Sequence, residues 1–388
     1  MNSLQLSPKQ LQEICHDFTN KPNGINTLLS IMLNSLMKAE RKDFLVSNHC
    51  HGNKANGYRS LRGLGIGEQI ELAIPRDRLG QFKPLLLEVM REQQDMLNEL
   101  CFELYANGLT TRQIEGITEN IYGKKLSKSA VSRITESLYE DMKAFRERPL
   151  EPHYPIIYLD ATYVKTKRET VSSEAYYVVL GVKLDKTREV LGIYNAPTES
   201  AGTWDSICQD LKERGIQRIE LAIIDDLKGL DQRIEKHFAC RIQKCVLHLK
   251  RRLLSQSKTS HRAELAQDLK DVFCVGKHDS LSASTERAKA CYQKWKKYYP
   301  QALAILADKD KLSYYLTYLH YENEVQNMIY TTNQIERLNK SFKRTLKIRN
   351  SMPNVDSVLT LMSKTAIDMG ETTYRYPLSR FADSLLFS

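Results

Sequence analysis

Two acidic residues stand at the far ends of short apolar runs in this 388-residue sequence. Asp160 follows Ile156, Ile157, Tyr158 and Leu159, and Asp225 follows the run from Ile219 to Ile224. Runs of this length and β-branched content read as strands buried on both faces, each delivering a carboxylate at its carboxyl end. A buried carboxylate left alone is costly, so each acid must be solvated, paired or bound to a cation. An Asp that closes a strand also serves as a turn or cap residue, so the pair gains meaning only from what surrounds it. A third acid, Glu336, lies in the segment Tyr330-Thr-Thr-Asn-Gln-Ile-Glu336 and precedes a basic stretch ending at Lys347. At about 100° per residue on a helix, Ile335, Leu338, Phe342 and Leu346 share one stripe, while Glu336, Lys340, Lys343 and Lys347 share the opposite one. Three carboxylates with lysines alongside suit a metal-bound phosphodiester. The acids supply oxygen ligands for Mg²⁺ (or Mn²⁺), and the lysines neutralise a DNA backbone. An ordinary solvated helix face fits the same charges.

The composition agrees with such a partner. Lys and Arg total 57 against 47 Asp and Glu, and the resulting charge of +10 favours a polyanion, nucleic acid first. The 41% of hydrophobic residues is ample for folded cores, and the length implies two or three domains. Eight cysteines scattered through a large chain with no secretory leader point to a reducing cytoplasm rather than a disulfide framework. No run reaches the roughly 18 apolar residues that a membrane span needs.

The elements that must position the acids can be followed in order. Residues 1 to about 50 read as short helices interrupted by Lys21-Pro22-Asn23-Gly24. Leu28, Leu29, Ile31, Met32, Leu33 and Leu36 make one strongly apolar helix, whose partner is a neighbouring element or a second copy. From Cys50 to Pro84 a small basic β-hairpin fits, as does a solvated charged loop, completing an N-terminal module over 1–86. Residues 87–150 are helical by period. One helix ends near Asn107-Gly108, a second runs from about Thr111 through Ile114, Ile117 and Ile121, and Tyr122-Gly123-Lys124-Lys125 turns. A third helix, starting at Ser127 or Ser129, carries Val131, Ile134 and Leu138 inward. That outline matches a helix-turn-helix whose second helix exposes Lys128, Ser129, Ser132 and Arg133 to phosphates and base edges. A helical hairpin that only packs has the same outline.

Beyond Pro149, Ala175–Val182 and Val190–Tyr194 give two more strands about a turn at Asp185-Lys186. Helices are expected over Glu199–Arg214, with Trp204, Ile207 and Leu211 inward, and over Lys228–His237. A further strand, Ile242–Leu247, leads into His248 and a basic helix through Lys250, Arg251 and Arg252. Three strands, helix, strand, helix, strand, helix is the order of the RNase H-like fold, an α/β architecture with a mixed five-stranded sheet and helices on both faces. In it the first and fourth strands are neighbours, so Asp160 and Asp225 converge. This core would occupy 151–260 and resume at 330–388, with an all-helical insertion over 261–329. His237, Cys240, Cys245 and His248 have a spacing open to zinc, but a Cys245 inside a buried strand reads as an ordinary core cysteine. Trp204 reads as core in preference to a base-stacking residue.

Several blocks carry a family likeness. Asn56-Gly-Tyr-Arg59, Pro75-Arg-Asp-Arg78, Tyr105 to Arg112, Val131-Ser-Arg-Ile134, Leu159-Asp-Ala161, Asp225 to Leu230, Gln243 to His248 and Tyr330 to Glu336 occur in an order and spacing that resemble bacterial insertion-sequence transposases of the Mutator type. The resemblance runs from about residue 56 to 353. It implies a DDE transposase with Asp160, Asp225 and Glu336 as the metal-binding triad, Cys245 and His248 in support, and His248 near the DNA or the triad. It also implies N-terminal domains that bind the terminal inverted repeats of double-stranded DNA. A homodimer or higher oligomer on DNA is expected. The family pattern has Gly where this chain has Asp226, which leaves an extra carboxylate beside the second ligand. With two ions bound, such a triad serves both cleavage at the element's end and joining of the freed 3′-OH to target DNA. A DNA-binding regulator with a degenerate catalytic fold, and a stand-alone nuclease or resolvase, are the alternative functions of the same fold.

Overall fold

A computed structural model of the chain describes residues 23–47, 52–64, 69–122, 128–196, 201–227, 229–275, 280–347, 349 and 351–378. The chain divides into two compact units, Met1–Ser137 and Leu138–Ser388. No helix among the described residues is long and apolar enough to cross a membrane.

In the first unit, helix α1 (Gly24–Ser47) lies on an antiparallel hairpin of β1 (Ala55–Leu64) and β2 (Gln69–Asp77). The strand's alternation decides the contact. Ile70, Leu72 and Ile74 point one way and are buried against Met37, Leu29 and Leu33 of the helix. Asn34 accepts a hydrogen bond from the backbone N–H of Ala73 at 2.8 Å, and the buried Arg41 donates to the carbonyls of Gly57 and Arg76, both at 3.0 Å. The partner that the sequence left open for this apolar helix is therefore the hairpin next to it, while Ile31, Met32 and Leu36 stay exposed. The segment expected ahead of Asn23 lies outside the described residues. Next come α2 (Leu85–Ala106), closed by Asn107 and by Gly108 at φ +95°, then α3 (Thr111–Tyr122) and α4 (Lys128–Ile134). The expected turn at 123–125 lies outside the described residues. The third helix is not continuous. Thr135 bonds its hydroxyl back to the carbonyls of Val131 and Ser132, both at 3.1 Å, and the helix restarts as α5 (Glu136–Glu147), so Val131 and Leu138 are buried on separate helices.

The second unit is built on a mixed five-stranded sheet. Its strands are β3 (His153–Lys167), β4 (Val171–Val182), β5 (Arg188–Ala196), β6 (Arg218–Ile224) and β7 (Arg241–Lys244), in the order β5-β4-β3-β6-β7. β3, β4 and β5 are antiparallel; β6 runs parallel to β3, and β7 parallel to β6. The first and fourth strands of the unit are thus neighbours, as the element order required. Helices α6 (Ala201–Glu213) and α7 (Leu230–Phe238) cover one face, where Trp204, Ile207, Leu211 and Ile234 pack on Ile157, Leu159, Tyr177 and Ala222. After α8 (Val246–Ser255) no strand occurs among the described residues up to 332, only helices and short turns: α9 (Thr259–Val272), α10 (Leu281–Trp295), α11 (Lys309–Leu316) and α12 (Asn323–Ile329). Helix α13 (Asn333–Leu346) then returns to β3, and α14 (Val355–Met369) packs beside it against β5, which covers the other face.

One element differs from its expected form in a way that matters for the site. β7 stops at Lys244, so Cys245, expected inside the strand, is the N-cap of α8, and Val246 and Leu247 are helical rather than strand residues. The apolar run hid the boundary, because Val246, Leu249 and Leu253 bury one helical face as well as a strand would.

Trp204 is fully buried and meets Tyr177 edge-on at 4.8 Å, while its indole N–H finds no acceptor among the described residues. Trp204→Ala should therefore cost about 3–5 kcal/mol in urea unfolding, and Trp204→Phe, which loses no hydrogen bond, markedly less.

Candidate active site

Sheet register brings the first two acids together. Leu159 pairs with Ile224 across the parallel strands, so the next residues, Asp160 and Asp225, emerge side by side at the end of the β3–β6 pairing. Asp160 pairs with Val178 of β4 and shares the face of Tyr158, the face that α13 covers, which turns its carboxylate toward that helix. There Asn339 donates to Asp160 Oδ2 at 2.7 Å, and the backbone N–H of Ala161 donates to Oδ1 at 2.8 Å. Burial and the neighbouring charge of Asp225 push the Asp160 carboxyl up to about 7, against the opposing pull of those two donors and of His248.

Glu336 reaches Asp225 through two intermediaries. His248 Nδ1 lies 2.6 Å from Asp225 Oδ1, and its Nε2 lies 3.8 Å from Glu336 Oε1. Bonded first of all to Asp225, and also to Cys245, the imidazole is pushed up to about 10 and carries a positive charge between the two carboxylates. The hydroxyl of Thr332 lies 3.2 Å from Asp225 Oδ1, 3.3 Å from Cys245 Sγ and 3.4 Å from Glu336 Oε1. It has one proton and can satisfy one of the three at a time.

The three carboxylates do not all come within 4.8 Å of one another. The set of acid, cysteine and histidine side chains that does so among the described residues is Asp225, Cys245 and His248. That trio already has partners: the sulfur of buried Cys245 accepts from the backbone N–H of Thr332 at 3.5 Å, and His248 is engaged by Asp225. The zinc spacing is not assembled, since His237 bonds to Asp205 at 3.0 Å and Cys240 packs on the core beneath α7. The donor set offered by Asp160, Asp225 and Glu336 is oxygen only, with two like charges held together and a protonated imidazole as the nearby cation. Such a set fits a hard divalent ion such as Mg²⁺.

Asp226 is occupied elsewhere. It pairs with Lys244 at 3.3 Å and with the guanidinium of Arg252, and these two cations outweigh burial and hold its carboxyl below the usual range. Consecutive acids thus grip α8 at His248 and Arg252, one helical turn apart. Along α13, Lys340, Lys343 and Lys347 are exposed while Ile335, Leu338, Phe342 and Leu346 are buried, as the stripe pattern required. None of the three lysines touches the acids. On α4, Ser129, Ser132 and Arg133 are exposed, and the side chain of Lys128 lies outside the described residues.

Two contributors escaped the sequence. Asn339 sits one turn past Glu336, a polar residue inside the apolar stripe, and that misfit was the available signal. Thr332 lies one turn before Glu336, in a segment that the helical period does not flag.

Over residues 2–375 the chain matches the family model described as Transposase, Mutator family. The chain belongs to that family. The transposase for insertion sequence element IS905 of Lactococcus lactis is 32% identical to this transposase over 351 residues, covering 90% of this chain and 88% of the relative. The transposase for IS1201 of Lactobacillus helveticus is 30% identical, covering 86% and 91%. The transposase for IS256 in transposon Tn4001 of Staphylococcus aureus is 28% identical, covering 94% of both chains. A solved Drosophila P element transposase strand transfer complex aligns at 10% identity with a TM-score of 0.29 over 76% of this chain and 81% of that one, a likeness too slight to bear on the fold.

The raised Asp160 carboxyl sets the sign of a stability test. An acid lifted from 3.8 to about 7 contributes fully below pH 4 and loses that contribution as pH rises to 7. In EDTA, Asp160→Asn should therefore raise unfolding stability at pH 8 by about 2–4 kcal/mol and leave it nearly unchanged at pH 4, as read by denaturant titration.

Proposed function

We propose that this Mutator-family transposase binds the terminal inverted repeats of an insertion sequence through α3 and α4, and carries out metal-dependent strand cleavage and strand transfer in an RNase H-like core. The observation that carries the reading is the β3–β6 register, which sets Asp160 beside Asp225 facing the helix that bears Glu336. Asp160, Asp225 and Glu336 would hold Mg²⁺ or Mn²⁺. Bound there, the cations would lower the pKa of an attacking water or 3′-OH and stabilise the leaving oxygen.

The chain's own residues do the positioning. Asn339 fixes one oxygen of Asp160 and leaves the other to the Ala161 N–H, so the carboxylate keeps one orientation. His248 holds Asp225 through Nδ1 and reaches toward Glu336 through Nε2, and its positive charge offsets the two acids. Lys340, Lys343 and Lys347 extend away from Glu336 along α13 and suit successive backbone phosphates. Ser129, Ser132 and Arg133, with Lys128, suit a major groove. A homodimer would bring two DNA ends together.

The test is a cleavage and joining assay with duplex DNA bearing the repeat that borders the gene, a separate target plasmid and Mg²⁺. Cut ends joined to target are expected. Mutating groups that orient metal ligands costs about 10–100-fold, so Asn339→Ala should fall in that range. Asp160→Asn, Asp225→Asn and Glu336→Gln should each lose more, with duplex binding kept. Binding without cutting by the unmodified protein would identify a regulator with a degenerate site. Cutting that never joins to target would identify a nuclease or resolvase.

A further inference from the structure

The strand that bears Asp160 does not stop at the sheet. β6 pairs with β3 only as far as Leu159, and β5 pairs with β4 only as far as Ala175, yet β3 and β4 continue together to Lys167 and Val171 as a two-stranded arm. The arm is braced on its inner side. Met352 forms a parallel bridge with Thr166: the Lys167 N–H donates to the Met352 carbonyl and the Met352 N–H donates to the Lys165 carbonyl, both at 2.9 Å. The Thr166 hydroxyl bonds to that of Tyr176 at 2.9 Å, and the buried Glu174 is clasped by Arg168 and Asn195.

The outer side is different. Alternation puts Tyr163, Lys165 and Lys167 on it, all exposed, opposite Ala175, Ser173 and Val171. Small partners leave the lysine stems uncovered. The arm's paired acid, Glu174, faces inward and is neutralised, and among the described residues neither lysine forms an ion pair. A rigid strand edge with an aromatic ring and two unneutralised ammonium groups fits a phosphate backbone.

We infer that this arm is a DNA-backbone contact that registers the duplex against the carboxylates, with Lys165 and Lys167 on phosphates and Tyr163 against sugar or base. At roughly 3.3 Å per residue the three side chains stand about 10, 17 and 23 Å along the strand from Asp160, on the face of the ribbon opposite its carboxylate, so the phosphates they contact flank the site rather than continue the strand that Asp160 faces. The inference rests on the reading that Asp160, Asp225 and Glu336 cut DNA.

Two measurements on the full-length protein test it. In the double variant Lys165→Gln/Lys167→Gln, the slope of log affinity against log salt for the repeat-bearing duplex should fall by about 0.9 per lysine, whereas Lys165→Arg/Lys167→Arg should keep the slope. A photo-crosslinking benzoylphenylalanine at position 163 should mark DNA within about ten nucleotides of the cleaved bond. An unchanged slope, or crosslinks remote from that bond while the protein cuts normally, overturns the arm and leaves the carboxylate reading standing. A protein that cuts no DNA overturns the carboxylate reading instead, and the slope and the fact of crosslinking still report on the arm.

Discussion

Two like charges forced together by sheet hydrogen bonding are the constraint on which the second unit turns. From Ile156 to Leu159 the β3–β6 pairing is held by side chains packed on both faces, Ile157, Leu159 and Ala222 under α6 and α7 and Tyr158 and Ile223 on the other, so a slip by one residue would exchange the two packed sets. Asp160 and Asp225 therefore have no means of separating. Their repulsion has to be answered from outside the sheet, and the answers come from three places: the backbone of β3 at Ala161, α13 at Asn339, and α8 at His248. Of these only His248 brings a positive charge; Ala161 and Asn339 answer with hydrogen bonds alone.

Helix α8 is the more constrained of the two. Its first residue caps on Cys245, its backbone N–H at Val246 bonds to Tyr330 O at 3.2 Å, and Lys250 donates to the Tyr330 hydroxyl at 2.7 Å. Those bonds tie α8 to the segment just before α13, so His248 and Thr332 keep a common frame. The pairing of Asp226 with Lys244 and Arg252 adds a further fastening at the same strand end. An acid that looks in sequence like a spare ligand serves instead to hold the helix whose His248 bonds Asp225.

Much of this was legible beforehand for a simple reason. Buried parallel strands announce themselves as apolar runs, and the amphipathic stripe of α13 separates Ile335, Leu338, Phe342 and Leu346 from Glu336 and the lysines without ambiguity. Boundaries were less legible where one apolar pattern serves two conformations. Val246 and Leu247 could extend a strand or open a helix, and the helix begins directly after the extended Cys245, which makes no side-chain capping bond. Likewise nothing in the period of Val131, Ile134 and Leu138 reveals that Thr135 would take its hydroxyl back to Val131 and divide the helix. Asn339 and Thr332 were missed because their importance lies in what they touch across the fold, Asp160 and Asp225, and hydrogen bonds between distant residues leave no local periodicity.

The all-helical stretch between α8 and α13 has a consequence for the order of folding. The sheet, α6, α7 and α8 form from contacts that lie fairly near one another along the chain, whereas α13 can dock on β3 only after α9 to α12 have been synthesised. Contacts of such long sequence separation form late, because loop closure must precede the reward. A chain emerging from the ribosome would thus hold its first two acids in place while the third was still unmade. The site proposed on the three carboxylates is incomplete until almost the whole polypeptide exists.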